Sequence, residues 1–277
     1  MLPVSNTAFF CCGIRYEDEL SKNPIINDVY AKDFMSESGV DIFHKFKNQK
    51  YANRNILARH KIIDEMVETI ITENKNVTFI SIGSGLESRS YRMGGGSWVE
   101  IDENQVISYK EMCLPQDGCK NKLTRIGVDF SGNDLDIAIS SMEVTGKVVV
   151  IIEGVFVYLE PKEIFETLKT LKDSFPSHDV ITDFINEDFI NNYSKTFDKG
   201  VNDLGAYYNP LKSPELPFFD EGYELKIEES VTEKSLKING HYILRFAAKL
   251  FMPTYINGYT VALLSQRKSG GNNAFLG

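Results

Sequence analysis

Positive charge, paired cysteines and long apolar runs are all scarce in this sequence. Thirty Lys and Arg face 39 Asp and Glu, for a net charge of −9. No basic field exists to gather nucleic acid, and an anionic substrate would need locally placed cations. The cations that do lie close together, Lys45, Lys47, Lys50 and Arg54, are spaced as the solvated face of a helix. The four cysteines, Cys11, Cys12, Cys113 and Cys119, form no C-x-x-C pair, and the four histidines are scattered. No metal site is therefore expected, and unpaired thiols suit a reducing cytoplasm. The most apolar segment, Val148 to Leu159, is interrupted by Glu153 and is too short to cross a bilayer. A short apolar patch from Ala8 to Cys12 has no positive region before it, which argues against a signal peptide. These absences exclude nucleic acid and membrane as expected partners. Repeats and low-complexity segments are missing as well. What remains is 277 residues, enough for one large α/β domain with additions.

The first 75 residues carry apolar positions at helical spacing. Ile56, Ile63, Met66, Val67, Ile70 and Ile71 predict a long amphipathic helix ending near Asn74, and Asn27-Asp28 reads as the cap of a helix through Phe34 and Met35. From Val77 the pattern changes to strands alternating with helices. Strands are predicted at Val77–Ile82, Trp98–Ile101, Leu123–Val128, Val148–Ile152 and Val180–Phe184. Helices are predicted at Glu103–Cys113, Asp134–Ser141 and Pro161–Phe175. Such alternation implies a mostly parallel sheet covered by helices on both faces. After Phe184 the rhythm breaks into an aromatic-rich insertion. Tyr223–Glu228 and Tyr259–Ser265 then read as strands, the last an antiparallel closing strand, and the tail from Ser269 reads as frayed. The expected organisation is a helical cap (1–75), a nucleoside-binding core (76–184), a lid-like insertion (185–222) and closing strands (223–268).

The most informative stretch runs from Val77 to Asp102. An apolar run stops at Gly83-Ser84-Gly85, and a second strand ends in Asp102 about 20 residues later, the spacing of a dinucleotide-type βαβ unit. Glycines let the backbone turn tightly and approach a ligand. Asp102, at a strand tip, is placed to accept hydrogen bonds from both hydroxyls of a ribose. A pyrophosphate cofactor would want a third glycine where Ser88 stands, and Glu87 would repel it. S-adenosyl-L-methionine, which has no phosphate and carries a sulfonium and an amine, fits better than a nicotinamide dinucleotide. Two more carboxylates, Asp129 and Glu153, follow predicted strands, where open α/β sheets bind ligands. Asp129 with Phe130 offers an acceptor for an adenine amino group beside an apolar surface. Glu153 follows five apolar residues, so it must face a cation or a cavity.

Arg59 in LARHKIID, then ISIGSGLESRSYRM, WVEIDENQVISYKEMCL, VDF and IIEGVFVYLEPKEI follow one another in the chain. In this order they resemble the leucine carboxyl methyltransferase family. That family includes protein phosphatase methyltransferases and bacterial polyketide-type O-methyltransferases. The resemblance implies a Rossmann-like class I methyltransferase sheet, mostly parallel with an antiparallel closing strand. It implies that Arg59 pairs with the cofactor's carboxylate. Gly83 and Gly85 would line the loop, Asp102 would hold the ribose, Asp129 and Phe130 would address adenine, and Glu153 the methionine amine. Glu87 stands where the family has Asp, Ser88 replaces Thr and Phe130 replaces Leu. An N-terminal lysine of the protein phosphatase branch has no counterpart, Arg15 being the nearest cation. Arg15, Tyr207, Tyr208 and His241 are candidate substrate contacts, and no catalytic dyad stands out. The reaction expected is O-methylation of a carboxylate on a small metabolite. A protein C-terminal carboxylate is the alternative acceptor, and a non-catalytic S-adenosyl-L-methionine-binding protein is the rival class.

Overall fold

The inner strands of the sheet form where apolar, β-branched runs lie between turn residues. The computed structural model describes residues 3–266; the tail from Ser269 lies outside them. Four helices come first: α1 (Pro3–Glu19), α2 (Ala31–Phe34), α3 (Glu37–Phe46) and α4 (Lys50–Glu73). Then follow β1 (Val77–Ile82), α5 (Arg89–Arg92), β2 (Ser97–Glu103), α6 (Asn104–Cys113), β3 (Lys122–Val128) and α7 (Asp134–Ser140). Next come β4 (Lys147–Ile152), α8 (Pro161–Ser174) and β5 (His178–Ile185). These strands match the sequence expectations within two residues at each end. α8 starts with Pro161 in its first turn and a reciprocal capping box between Glu160 and Glu163.

The sheet runs in the order β3-β2-β1-β4-β5-β7-β6. The first five strands are parallel, while β7 (Tyr259–Gln266) is antiparallel to both β5 and β6 (Glu224–Ser230). Strand order reverses between β1 and β4, so a crevice opens at their carboxyl ends. β4 shows why its run is wholly apolar. Val148, Val150 and Ile152 enter one core with Leu168 and Leu171 of α8, and Val149 and Ile151 enter the other with Ile62, Ile63 and Met66 of α4. β6 is an exposed edge strand; charged side chains and a register shift between Leu225 and Ile227 blunt it.

Two local expectations are adjusted. Asp28 stands two residues ahead of Tyr30, the N-cap position of α2, and its Oδ1 accepts from the Tyr30 amide (3.2 Å). The same carboxylate is buried against Arg15 (2.8 Å) and Ser88 Oγ (2.6 Å), so it ties the start of α2 to the core. The segment read as closing strands also holds α12 (Val231–Ile238), α13 (Tyr242–Phe251) and α14 (Pro253–Asn257) between β6 and β7. The preceding insertion comprises α9 (Glu187–Phe189), a π-helical turn (Ile190–Ser194), α10 (Lys195–Asp203) and α11 (Leu216–Asp220). α10 packs on the N-terminal helices, with the Phe197 ring 5.1 Å from Phe10 and 5.8 Å from Phe46.

Candidate functional site

The turn after β1 is set by backbone conformation. Gly83 and Gly85 have φ of +67° and +49°, a region that side chains disfavour. The amides of Gly83 and Ser84 donate to the Ile101 carbonyl (2.9 and 3.1 Å), folding the loop across the end of β2. A Cβ on Gly83 would stand 2.4 Å from Val155 Cγ2. The Gly85 amide donates to Asp102 Oδ2 (2.6 Å), and Oδ1 accepts from the Glu103 amide (2.7 Å). Among the described residues no salt bridge reaches Asp102, whose side chain lines the cavity with lone pairs to spare. Burial pushes its carboxyl up to about 6, against the two amides and the more distant Lys110. The helix that follows the loop, α5, is a single turn of four residues. It presents no long dipole to a pyrophosphate, and Glu87 lies ahead of it, paired with Arg89.

Glu153, just past β4, is the centre of a buried ionic network. Its Oε1 accepts from Arg59 Nε (2.8 Å) and lies 2.9 Å from His60 Nδ1; Oε2 accepts from Arg89 Nη1 (2.7 Å). Arg59 Nη1 also reaches Asp183 Oδ2 (3.2 Å) and the Tyr259 hydroxyl (3.1 Å). Arg89 continues to Asp64 (2.7 Å), which Arg92 also grips (2.7 Å). Burial opposes ionisation of Glu153, but Arg89, His60 and Arg59 overcome it and hold the carboxyl well below its usual range. Burial, helped by Arg15 and Arg89, drives His60 down to about 4 despite Glu153. The imidazole is thus neutral at pH 7. Nδ1 also lies 3.0 Å from Arg89 Nη2, and Nε2 lies 3.3 Å from Arg15 Nη1, so both ring nitrogens are engaged. Arg15, Arg59, Arg89 and Arg92 together face Asp28, Asp64, Glu87, Glu153 and Asp183. Carboxylates outnumber guanidinium groups by one, and Asp102 adds another negative charge.

Of these groups Arg15, Arg59, Glu87, Asp102, Glu153 and Asp183 line a cavity of about 540 Å³, within the range of small-molecule sites. Gly83, Asp102 and Phe130 stand at the β1–β3 side, and Arg59, Glu153 and Asp183 at the switch between β1, β4 and β5. Phe10, Phe156, Phe189, Phe197, Tyr158 and Tyr208 supply an aromatic wall. The Tyr158 and Tyr208 rings lie 5.0 Å apart.

Not all candidates from the sequence gather here. Asp129 is exposed and outside the lining, with Oδ1 accepting from the Ser131 amide and hydroxyl (2.9 and 2.6 Å). Tyr207 is 67% exposed and turned away, unlike its neighbour Tyr208. His241 lies on the surface beside Arg54, 3.4 Å from it, and outside the cavity. Arg15 lines the cavity, but Asp28, His60 and the Leu86 carbonyl take its donors. Sequence reasoning missed Asp183, His60, Arg89 and Tyr158. Asp183 carried a signal: a carboxylate inside the apolar strand VITDFI requires a partner.

A mostly parallel sheet with an antiparallel closing strand, opening on this cavity, is the architecture of the class I methyltransferases. Solved structures share the architecture. A DUF574 family protein from Streptomyces avermitilis superposes with a TM-score of 0.61 at 11% identity, covering 90% of this chain and 99% of that one. A putative methyltransferase from Thermobifida fusca gives 0.60 at 13% identity, covering 92% and 94%. The leucine carboxyl methyltransferase model matches residues 13–172, more than half of the sequence, and the chain belongs to that family.

Proposed function

We propose that this protein is an O-methyltransferase that uses S-adenosyl-L-methionine to methylate a carboxylate of a small metabolite. The residues present fit the cofactor. Asp102, buried and reached by no salt bridge among the described residues, would accept from the ribose hydroxyls, and the positive-φ glycines leave room beside it. Phe130 would cover the adenine ring. Glu153 and Asp183 sit where carboxylates exceed guanidinium groups, a balance that suits an ammonium and a sulfonium. Arg59 Nη2, whose partner is Cys11 Sγ at 4.0 Å, keeps donor capacity for the amino-acid carboxylate. The bound cofactor supplies a methyl group already activated by its sulfonium.

The single observation that carries the choice of acceptor concerns the groups around Glu153. Each is occupied or held uncharged, so none is free to take a proton. Glu153 and Asp183 are pinned by arginines, and His60 has both nitrogens engaged and its pKa near 4. Burial keeps the Tyr158 phenol protonated, pushed up to about 12, and holds Tyr208 well above the usual phenol range, the two hydroxyls being hydrogen-bonded to each other. An alcohol or phenol acceptor would need a base here. A carboxylate is already ionised at neutral pH. Protonated Tyr158 and Tyr208 can donate to it, and the aromatic wall excludes water, so the protein contributes positioning and desolvation. The insertion (185–222) would serve as the cover, through Phe189, Phe197 and Tyr208.

Two measurements test the proposal. Calorimetry should show binding of S-adenosyl-L-methionine with no comparable affinity for NAD; preference for NAD overturns it. Methyl-labelled cofactor incubated with cell extract should place label in small molecules as a base-labile ester. Label in a protein band would transfer the reading to a protein C-terminus, and base-stable label would exclude a carboxylate.

A further inference from the structure

The most apolar surface of the molecule lies outside the cavity. On α13, Ile243, Phe246 and Leu250 fall at helical spacing on one face, flanked by Tyr242 and Phe251. All five are exposed, Ile243 at 88% and Phe251 at 78%. The opposite side is tied down: Ala248 is buried against Leu236 and Ile256, and Arg245 and Lys249 pair with Glu233 of α12 (2.6 and 2.7 Å). Packing therefore aims the apolar stripe at solvent. A stripe of this size on a well-anchored helix marks a contact surface.

Charge identifies what it contacts. After Glu233 the chain contains no Asp or Glu, although 39 precede that point. Between residues 234 and 266 it carries Lys234, Lys237, Arg245 and Lys249. Lys234 is paired with Glu65 and Glu229, and Arg245 and Lys249 with Glu233, which leaves exposed Lys237 as the cation of this stretch that can face a partner. Arg54 of α4, beside His241 at the N-terminal end of α13, and exposed Lys50 one turn earlier on α4 add two more cations. An acidic protein thus presents its most apolar helix inside a basic rim. Such local asymmetry is the signature of attraction to an anionic surface. The distant negative charge is screened within about 10 Å at ordinary ionic strength. A second copy of the chain docking face to face would bring these cations against their own images, which disfavours it.

We propose that α13 is an interfacial helix that docks the protein reversibly on an anionic lipid surface, its apolar stripe among the acyl chains and the rim cations at the headgroups. This differs from spanning: among the described residues no helix is long and apolar enough to cross a membrane. The sequence expectation of no membrane partner rested on the lack of a span, which does not bear on an interfacial helix. α4 joins the two surfaces, since Ala52, Asn55 and Ile56, either side of Arg54, line the cavity. A methyl acceptor dissolved in lipid would meet the cavity close to the docked helix.

The test is co-sedimentation of the full chain with vesicles of phosphatidylcholine and phosphatidylglycerol at 7:3, beside pure phosphatidylcholine, at low and high salt. The expected result is binding to the anionic vesicles only, weakened by salt and reduced at least ~tenfold by Phe246→Glu. Ile243→Ser, at a still more exposed position, should also weaken binding, and unchanged fluorescence of the buried Trp98 would show both variants folded. No binding to anionic vesicles, equal binding to neutral ones, or binding indifferent to both substitutions would each overturn the proposal. So would a concentration-dependent dimer in sedimentation velocity that Phe246→Glu abolishes, without vesicle binding; that outcome assigns the stripe to a second copy.

Discussion

Asp102 makes the free protein pay for readiness to bind, and the effect is measurable. Its side chain is buried, no salt bridge reaches it among the described residues, and its carboxyl moves from an ordinary 3.8 to about 6. The folded state then keeps a proton that the unfolded chain releases between pH 4 and 6. Stability falls as pH rises through that window and levels off on either side. The shift corresponds to about 3 kcal/mol. Asp102→Asn cannot titrate, so its stability relative to wild type should improve by about that amount between pH 4 and 7. Other carboxylates cancel in the difference. Urea unfolding followed by Trp98 would measure it, because this single tryptophan is buried and stacked on Phe79 with centroids 4.5 Å apart. Ribose hydroxyls donate to the ionised form, so cofactor binding near pH 6 should release a proton, seen in calorimetry across buffers of different ionisation enthalpy. Affinity should also weaken toward tenfold per pH unit at more acid pH. A stability difference that is flat with pH, together with binding that releases no proton, would refute the assignment of Asp102.

Three further outcomes are expected. Arg59→Ala should destabilise the fold by about 3–5 kcal/mol in chemical denaturation, because Asp183 loses its buried cation; a surface arginine would cost under ~1 kcal/mol. Gly83→Ala should cost about 1–3 kcal/mol through positive φ and collision with Val155, and a denaturation midpoint equal to wild type would contradict this. Single-turnover methyl transfer should be flat from about pH 6 to 9 for a carboxylate acceptor. Tyr208→Phe should then lower kcat/KM about tenfold with cofactor Kd unchanged, whereas a weakened cofactor would place Tyr208 at the other end of the cavity.

The central strands β1, β4 and β5 were legible because burial on both faces demands continuous apolar runs, and the runs of β1 to β4 end at glycine or a carboxylate. The glycine loop and Asp102 were legible for the same reason: spacing along the chain fixes their spacing at the switch point. Other features were set by contacts remote in sequence. Arg89 and Asp64, 25 residues apart, become partners only when α4 packs on the sheet. Asp129 and Asp102 look alike in sequence, yet Ser131 draws Asp129 outward. α13 was hidden because its apolar face points away from the core, so its periodicity says nothing about what it covers. Arg59 was expected as a ligand contact alone; its burial between Glu153 and Asp183 makes it a structural cation too.

The position of β7 has a consequence in time. It sits between β5 and β6 in the sheet although it is the last strand in sequence. β5 ends at Ile185 and β7 begins at Tyr259, so roughly 70 residues, or ~4–15 s of ribosomal synthesis at ~5–20 residues per second, separate the two. Throughout that interval the β5 edge stays unpaired, carrying Val180 and Ile181 from the two cores. Until β7 arrives, β6 also lacks the strand it pairs with. The nascent chain is most exposed to aggregation in that interval, when a holdase or slowed elongation would change the yield of folded protein without touching its final stability.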